Sequence, residues 1–297
     1  MADAIVLVEP ALPAEKRAYK ISDGRRPTDP ELIDLWLHGR PRNTVTAYRR
    51  DVRRMLDFIG VPIGAVRLVD LHAFADSLVG EPATRKRVLS ATKSLLKFLA
   101  TAGAIEYNVG AALRVPKGRD ALADRILTKA DTKKLLRSGR RPRDTALLRL
   151  LYEGGFRRGE LASLRWVGVV AGEGCAYVTV VGKGSKTRTV RISSDTLAAL
   201  NALRGEAADD APVFTGRRGA ALSESQVWRV VRGAAKRAGL TKPVSPHFLR
   251  HAHASHALDA GAPIALVRDT LGHSSVAVTD RYLHARPTES SGKYLRL

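Results

Sequence analysis

The chain has 297 residues, 44% of them hydrophobic, which is ample for packed cores and longer than one domain usually runs, so two domains are expected. Fifty Lys and Arg against 29 Asp and Glu leave a formal charge of +21, pointing to a polyanionic partner, nucleic acid before an anionic membrane. The single cysteine, Cys175, excludes an intramolecular disulfide and paired-cysteine zinc motifs, and no bilayer-length apolar run, lipidation signal or secretory leader is evident, so a cytoplasmic protein is expected.

Residues 1–27 mix Pro, Gly and charge without periodicity and are expected to form a flexible tail. Folding is expected to begin at Thr28, where Thr28 and Glu31 make a capping-box pattern ahead of Leu32, Leu35 and Trp36. In the second helix Asn43 is the expected N-cap. Val45, Tyr48, Val52, Met55 and Ile59 recur there at steps of three and four, and Gly60 ends the helix. Its other face carries Arg42, Arg49, Arg50, Arg53 and Arg54. A later helix over 84–102 sets Arg85, Lys86, Arg87, Lys93 and Lys97 opposite Val88, Ala91, Leu95 and Phe98. One such face would be ordinary solvated surface; two with few balancing acids favour contact with phosphates.

The run RVPKGRDALAD, 114–124, has Pro, Gly and charge without an apolar stripe and reads as a linker between a helical domain over 28–113 and a second domain over 125–286. Beyond it Thr128 and Asp131 open a helix that Gly139 closes, and another is expected over 142–152 before Gly154–Gly155. Across 175–192 the period changes: Val178 and Val180, then Val190 and Ile192, alternate around GKGSK as in a β-hairpin. Helices then return. In SPHFLRHAHASHALDAG, Ser245 is the expected N-cap and Pro246 the first helical residue, which sets His247 and Arg250 on one face near a helix N-terminus that favours phosphate. Gly272 ends the next helix, and Ser274 or Ser275 can cap one bearing Tyr282.

Four segments then stand in order: YEGGFRRGELASL (152–164), VVGKGSKTRTV (180–190), HFLRH (247–251) and LGHSSVAVTDRYLH (271–284). They resemble the signature boxes of the tyrosine recombinase or phage integrase family, with the Xer-like subgroup nearest in size. Each alone is weak; together, in order and suitably spaced, they are specific. NTVTAYRRDVRRML and the helix around 90–99 resemble the family's core-binding domain, so the resemblance runs from Thr28 to the C-terminal region. It implies an all-α, SAM-like core-binding domain and a mixed α/β, mainly helical catalytic domain with a small antiparallel β-sheet, the two enclosing DNA.

The resemblance also implies the roles. Arg157 and Arg250 would clamp the nonbridging oxygens of a phosphodiester, whose negative charge grows in the transition state. His273 would add a hydrogen bond, and Lys183 would protonate the leaving 5′ oxygen. The Tyr282 phenol, with a reference pKa of about 10, would attack phosphorus after losing its proton to His247. Glu160 would orient a neighbouring basic group. Because the phosphotyrosine conserves the diester's bond energy, no cofactor is expected. The expected DNA contacts are Arg42, Asn43, Thr44, Tyr48, Arg49, Arg53, Lys86, Lys93, Lys97, Lys186 and Arg188. Two departures from the family pattern are Gly154, where Thr is frequent, and Phe156, where Leu is frequent.

GKGSKT lacks the P-loop spacing. His247, His251, His253 and His256 lack a carboxylate or cysteine to complete a zinc site, and the last three read as packing or surface residues. Tyr48, Tyr107 and Tyr152 read as core or interface aromatics; Tyr294, in the tail beyond the last box, is a weaker candidate for the nucleophile than Tyr282, and the tail over 287–297 reads as a subunit contact. The expected partners are a double-stranded DNA recombination site and a homo-tetramer, or a hetero-tetramer with a second recombinase. Exchange would pass through a Holliday junction, with resolution of chromosome or plasmid dimers as the role. Alternatives are a mobile-element integrase, a type IB topoisomerase, or a DNA-binding architectural or regulatory protein without catalysis.

Overall fold

The computed structural model describes residues 27–116, 122–182 and 186–285, with side chains described to Tyr282. Lys183, Tyr294 and the two expected tails therefore lie outside the described residues. The chain divides into two compact units at Arg119/Asp120.

The first unit is helical: α1 (Asp29–Leu37), α2 (Arg42–Ile59), α3 (Leu68–Ser77) and α4 (Pro82–Thr101). Glu31 reaches back to accept from the Thr28 backbone N–H at 2.8 Å, forming the expected capping box. The start of α2 differs from expectation. Pro41 is the N-cap and Asn43 is already helical, because Pro41 supplies the extended backbone before the first turn; Gly60, in the left-handed region at φ 72°, ends the helix as expected. Trp36, Val52, Met55, Leu71, Phe74, Leu95 and Leu99 form the core. Each such side chain contributes about 1.5–3 kcal/mol on burial. Asp51 is buried in this core and is held by an ion pair to Arg87 that ties α2 to α4. Tyr107, expected as a core or interface aromatic, is 68% exposed and so is not in the core.

The second unit begins with α5 (Leu122–Arg125), α6 (Lys129–Arg137), α7 (Pro142–Glu153) and the short α8 (Arg158–Ala162). Strands β1 (Val169–Gly172), β2 (Cys175–Val181) and β3 (Thr187–Ser193) follow, and then α9 (Ser194–Arg204), α10 (Glu224–Arg237), α11 (Pro246–Asp259), α12 (Ile264–Leu271) and α13 (Val276–Ala285). The strands form an antiparallel sheet in the order β1-β2-β3, with Val178 paired to Val169 on one side and Val190 on the other. The hairpin is the expected one. β1 was not foreseen, since four residues without a polar–apolar alternation carry little strand signal. Ala176, Val178, Val180 and Ile192 turn into a core with Leu147, Leu151, Phe156 and Leu249. Thr128 caps α6 through its side chain, accepting from the Asp131 N–H at 3.0 Å.

The end of the expected linker is folded. Leu122 and Ile126 are buried with Ala254, Val267, Leu271 and Tyr282, so α5 forms part of the wall around the tyrosine. Among the described residues no helix is long and apolar enough to cross a membrane.

Candidate active site

Helix α11 starts where Ser245 and Pro246 set its first turn. The i, i+3 and i+4 positions His247, Arg250 and His251 therefore share a face. Arg250 is 4% exposed, its guanidinium donating to the carbonyls of Gly155 and Leu271, each at 2.6 Å. Gly155 can offer its carbonyl there because it turns at φ 57°, a conformation that penalises a side chain. Burial, and then the charges of Arg157 and Arg188, lower the Arg250 pKa to about 9, which leaves it cationic at neutral pH.

Arg157, at the N-cap of α8, donates to Glu160 at 2.8 Å and to the Gly272 carbonyl at 3.0 Å. Glu160 is 5% exposed and also takes two bonds from Arg188, at 2.7 and 2.8 Å, and one from the Arg157 backbone N–H at 2.7 Å. Burial alone would raise the carboxyl's pKa; the Arg188 and Arg157 hydrogen bonds and the Arg188 charge outweigh it and hold Glu160 below its ordinary range. Glu160 thus orients two arginines at once.

Arg188 needs correcting. Expected at the DNA surface, its side chain is 12% exposed and is held by Glu160 and by the Thr270 carbonyl at 2.8 Å, with its guanidinium 5.5 Å over the Phe156 ring. The two departures from the family pattern meet here. A side chain at 154 would collide with the Phe156 ring, so Gly154 makes room for Phe156, and the larger ring forms a floor for Arg188.

Tyr282 is 5% exposed, and its hydroxyl lies 2.7 Å from His251 Nδ1. On its other side the His273 ring lies parallel to it, 6° between planes and 6.3 Å between centroids, with His273 Nδ1 2.8 Å from the buried Thr279 hydroxyl. These groups line a cleft of about 270 Å³ on which Arg125, Arg157, Arg250 and Arg281 converge. Burial, and then neighbouring arginines for His273, lower His273 to about 4; burial, His247 and nearby arginines lower His251 to about 4 as well. Burial raises the Tyr282 phenol, against opposing pulls from Arg250 and Arg281. His247, the expected proton acceptor, sits one turn before His251 with ring centroids 6.3 Å apart and is exposed by area, though packing on one side and the Arg250 charge still lower its pKa. The phenol's partner is His251. The other two histidines pack: His253 Nδ1 lies 2.8 Å from the Tyr152 carbonyl, and His256 bridges the Tyr152 hydroxyl and the Leu127 carbonyl. Among the described residues no three His, Cys, Asp or Glu side chains are grouped to hold a metal.

Residues 123–289 match the Phage integrase family, and residues 32–103 match the Phage integrase, N-terminal SAM-like domain. The chain belongs to the phage integrase family, the tyrosine recombinases. Its relatives include the tyrosine recombinase XerC of Xanthomonas campestris pv. campestris (strain B100), 35% identical across 82% of this chain and 78% of that protein. They also include the tyrosine recombinase XerD of Bifidobacterium longum (strain NCC 2705), 32% identical across 91% of this chain and 96% of that protein. The fold is shared with a lambda integrase tetramer bound to a Holliday junction, at TM-score 0.69 and 20% identity, covering 90% of this chain and 82% of that one.

Of the residues expected in this family's site, Arg157, Glu160, Arg250, His273 and Tyr282 are brought together by α8, α11, the turn after α12, and α13. In the first unit, Arg42, Asn43, Arg49, Arg53, Lys86 and Lys97 are exposed, as is Lys186 in the second, while Thr44 is half-buried. Arg49 is paired with Asp34 at 2.6 Å. Two of the expected contacts have partners within the unit. Tyr48 stacks on Trp36 at 5.3 Å, with Arg40 over both rings, and Lys93 donates to the carbonyls of Ala111 and Leu113 at 3.0 and 2.6 Å. His251 was missed as a partner of Tyr282; its only signal was its place four residues after His247 on the same face.

Proposed function

We propose that this recombinase cleaves one DNA strand at a time through Tyr282, holds the end as a 3′-phosphotyrosine, and rejoins it to another strand. The reading rests on one observation above all: the Tyr282 hydroxyl borders a cleft where Arg157 and Arg250 are fixed by carbonyl and carboxylate partners. Two of the five N–H donors of Arg250 are committed to carbonyls, and the remaining donors of both forks can take the nonbridging oxygens of a phosphodiester. Held in place before substrate arrives, they need no rearrangement as charge develops.

His273, neutral and oriented by Thr279, donates to the same oxygens, and His247 adds a polar contact from the face that carries Arg250. The phenol's proton passes to a histidine of α11, Lys183 protonates the leaving 5′ oxygen, and religation reverses these steps without a cofactor. The charge of +21 and the likeness of the fold to a DNA-bound integrase support DNA as the substrate. The proposed assembly is a tetramer that synapses two sites and exchanges strands through a Holliday junction, alone or with a second recombinase. Similarity to both XerC and XerD proteins supports resolution of chromosome or plasmid dimers as the role.

The test uses duplex DNA with a recombination site and a nick that lets the cleaved fragment diffuse away, followed by denaturing electrophoresis. A covalent protein–DNA adduct from the wild type and none from Tyr282→Phe is the expected result. An adduct from both would move the nucleophile elsewhere, and none from either on a verified binding site would remove the catalytic reading.

A further inference from the structure

Two histidines on one face of α11 compete for the phenol's proton, and the geometry points to His251, rather than His247, as the catalytic base. This rests on Tyr282 being the nucleophile. The Tyr282 hydroxyl and His251 Nδ1 are 2.7 Å apart, with the rings tilted by 42° and their centroids 5.7 Å apart. With the ring proton of His251 on Nε2, the phenol's one proton lies on this hydrogen bond, directed at Nδ1; His247 sits one turn before His251 and makes no such bond to the Tyr282 hydroxyl. His251 is also one residue from Arg250, so the helix that clamps the phosphate is the one that sets the direction of the phenol.

The charged and titratable groups facing His251 are Arg125 on α5, His247 and Arg250 on α11, and Arg281 and Tyr282 on α13. Without DNA, burial and then this basic surrounding oppose a second proton on His251, so the ring is neutral at pH 7 and, with its proton on Nε2, accepts at Nδ1. A bound phosphodiester brings a negative charge among the same arginines and offsets them. The base therefore gains proton affinity when substrate arrives, which prevents the buried phenol from ionising on an empty enzyme. In the cleavage step the Tyr282 oxygen–phosphorus bond forms, the bond from phosphorus to the 5′ oxygen breaks, the phenol proton moves to Nδ1, and the 5′ oxygen takes a proton from Lys183. In religation the proton returns from Nδ1 to the phenol.

The test compares single-turnover adduct formation on the nicked site DNA by the wild type, Tyr282→Phe, His251→Ala and His251→Asn, across pH. Asn keeps an acceptor oxygen near the Nδ1 position but cannot hold a proton there. Both His251 variants should bind DNA normally yet cleave about 10²–10⁴-fold more slowly, and both should lose the acid limb that protonation of His251 gives the wild-type profile. A rate for either variant within about threefold of wild type, or an unchanged pH profile in slow variants, overturns the assignment. An adduct with Tyr282→Phe removes the nucleophile reading and this inference with it; His251 variants that cleave like wild type while Tyr282→Phe stays inert remove this inference alone.

Discussion

Replacing Glu160 by Gln should reveal how much of the site is held by one carboxylate. The carboxylate accepts four hydrogen bonds, two at each oxygen, from the Arg157 backbone, the Arg157 guanidinium and the two arms of the Arg188 fork. An amide keeps one acceptor oxygen and turns an NH₂ toward two donors, so two bonds to charged groups are lost, each contributing about 1.5–3 kcal/mol. Removing a carboxylate's desolvation cost offsets part of that. The net loss expected for breaking a buried ion pair is about 3–5 kcal/mol, or roughly 6–20 °C in Tm for a unit of this size. The sign with pH follows from Glu160 being held below its ordinary value in the fold. Its stabilisation is complete above the unfolded value near 4.5 and is lost as pH falls through the folded value. Calorimetry across pH should therefore show a wide gap between wild type and Glu160→Gln at pH 7 that narrows progressively as pH falls below about 4.5. At pH 7 the variant should also cleave more slowly with little change in DNA affinity, because Arg157 loses its anchor. A gap below about 1 kcal/mol at pH 7, or one that does not narrow at all below about pH 4.5, would refute the role assigned to this carboxylate.

Gly272→Ala should cost about 1–2 kcal/mol, because the residue sits at φ 63°. It should also slow cleavage, since a Cβ there would lie 3.2 Å from the Arg188 side chain beside the carbonyl that holds Arg157; thermal melts paired with adduct assays check both effects. DNA affinity measured by fluorescence anisotropy should fall steeply with salt, and Arg53→Ala should reduce the logarithmic slope by about one. An unchanged slope would remove Arg53 from the phosphate contacts.

Local signals in the sequence were sufficient wherever the cause was local. Thr28 with Glu31, Thr128 with Asp131, Gly60, and Ser245 with Pro246 act within one helical turn, so their spacing alone placed helix ends. Alternation around 175–192 placed a hairpin for the same reason, whereas β1 and α5 were too short to show a period. The residue types of the site were legible as well, because phosphate chemistry needs arginine forks, histidines and a tyrosine. Their pairing was not. His251 and Tyr282 are 31 residues apart, Glu160 and Arg188 are 28 apart, and Arg157 and Gly272 are 115 apart. Which histidine meets the phenol, and whether an arginine is a buried brace or a surface contact, depends on how α8, β3, α11 and α13 pack. Side-chain chemistry and spacing therefore determined what this protein can do, and tertiary packing decided which of several chemically equivalent groups is placed to do it.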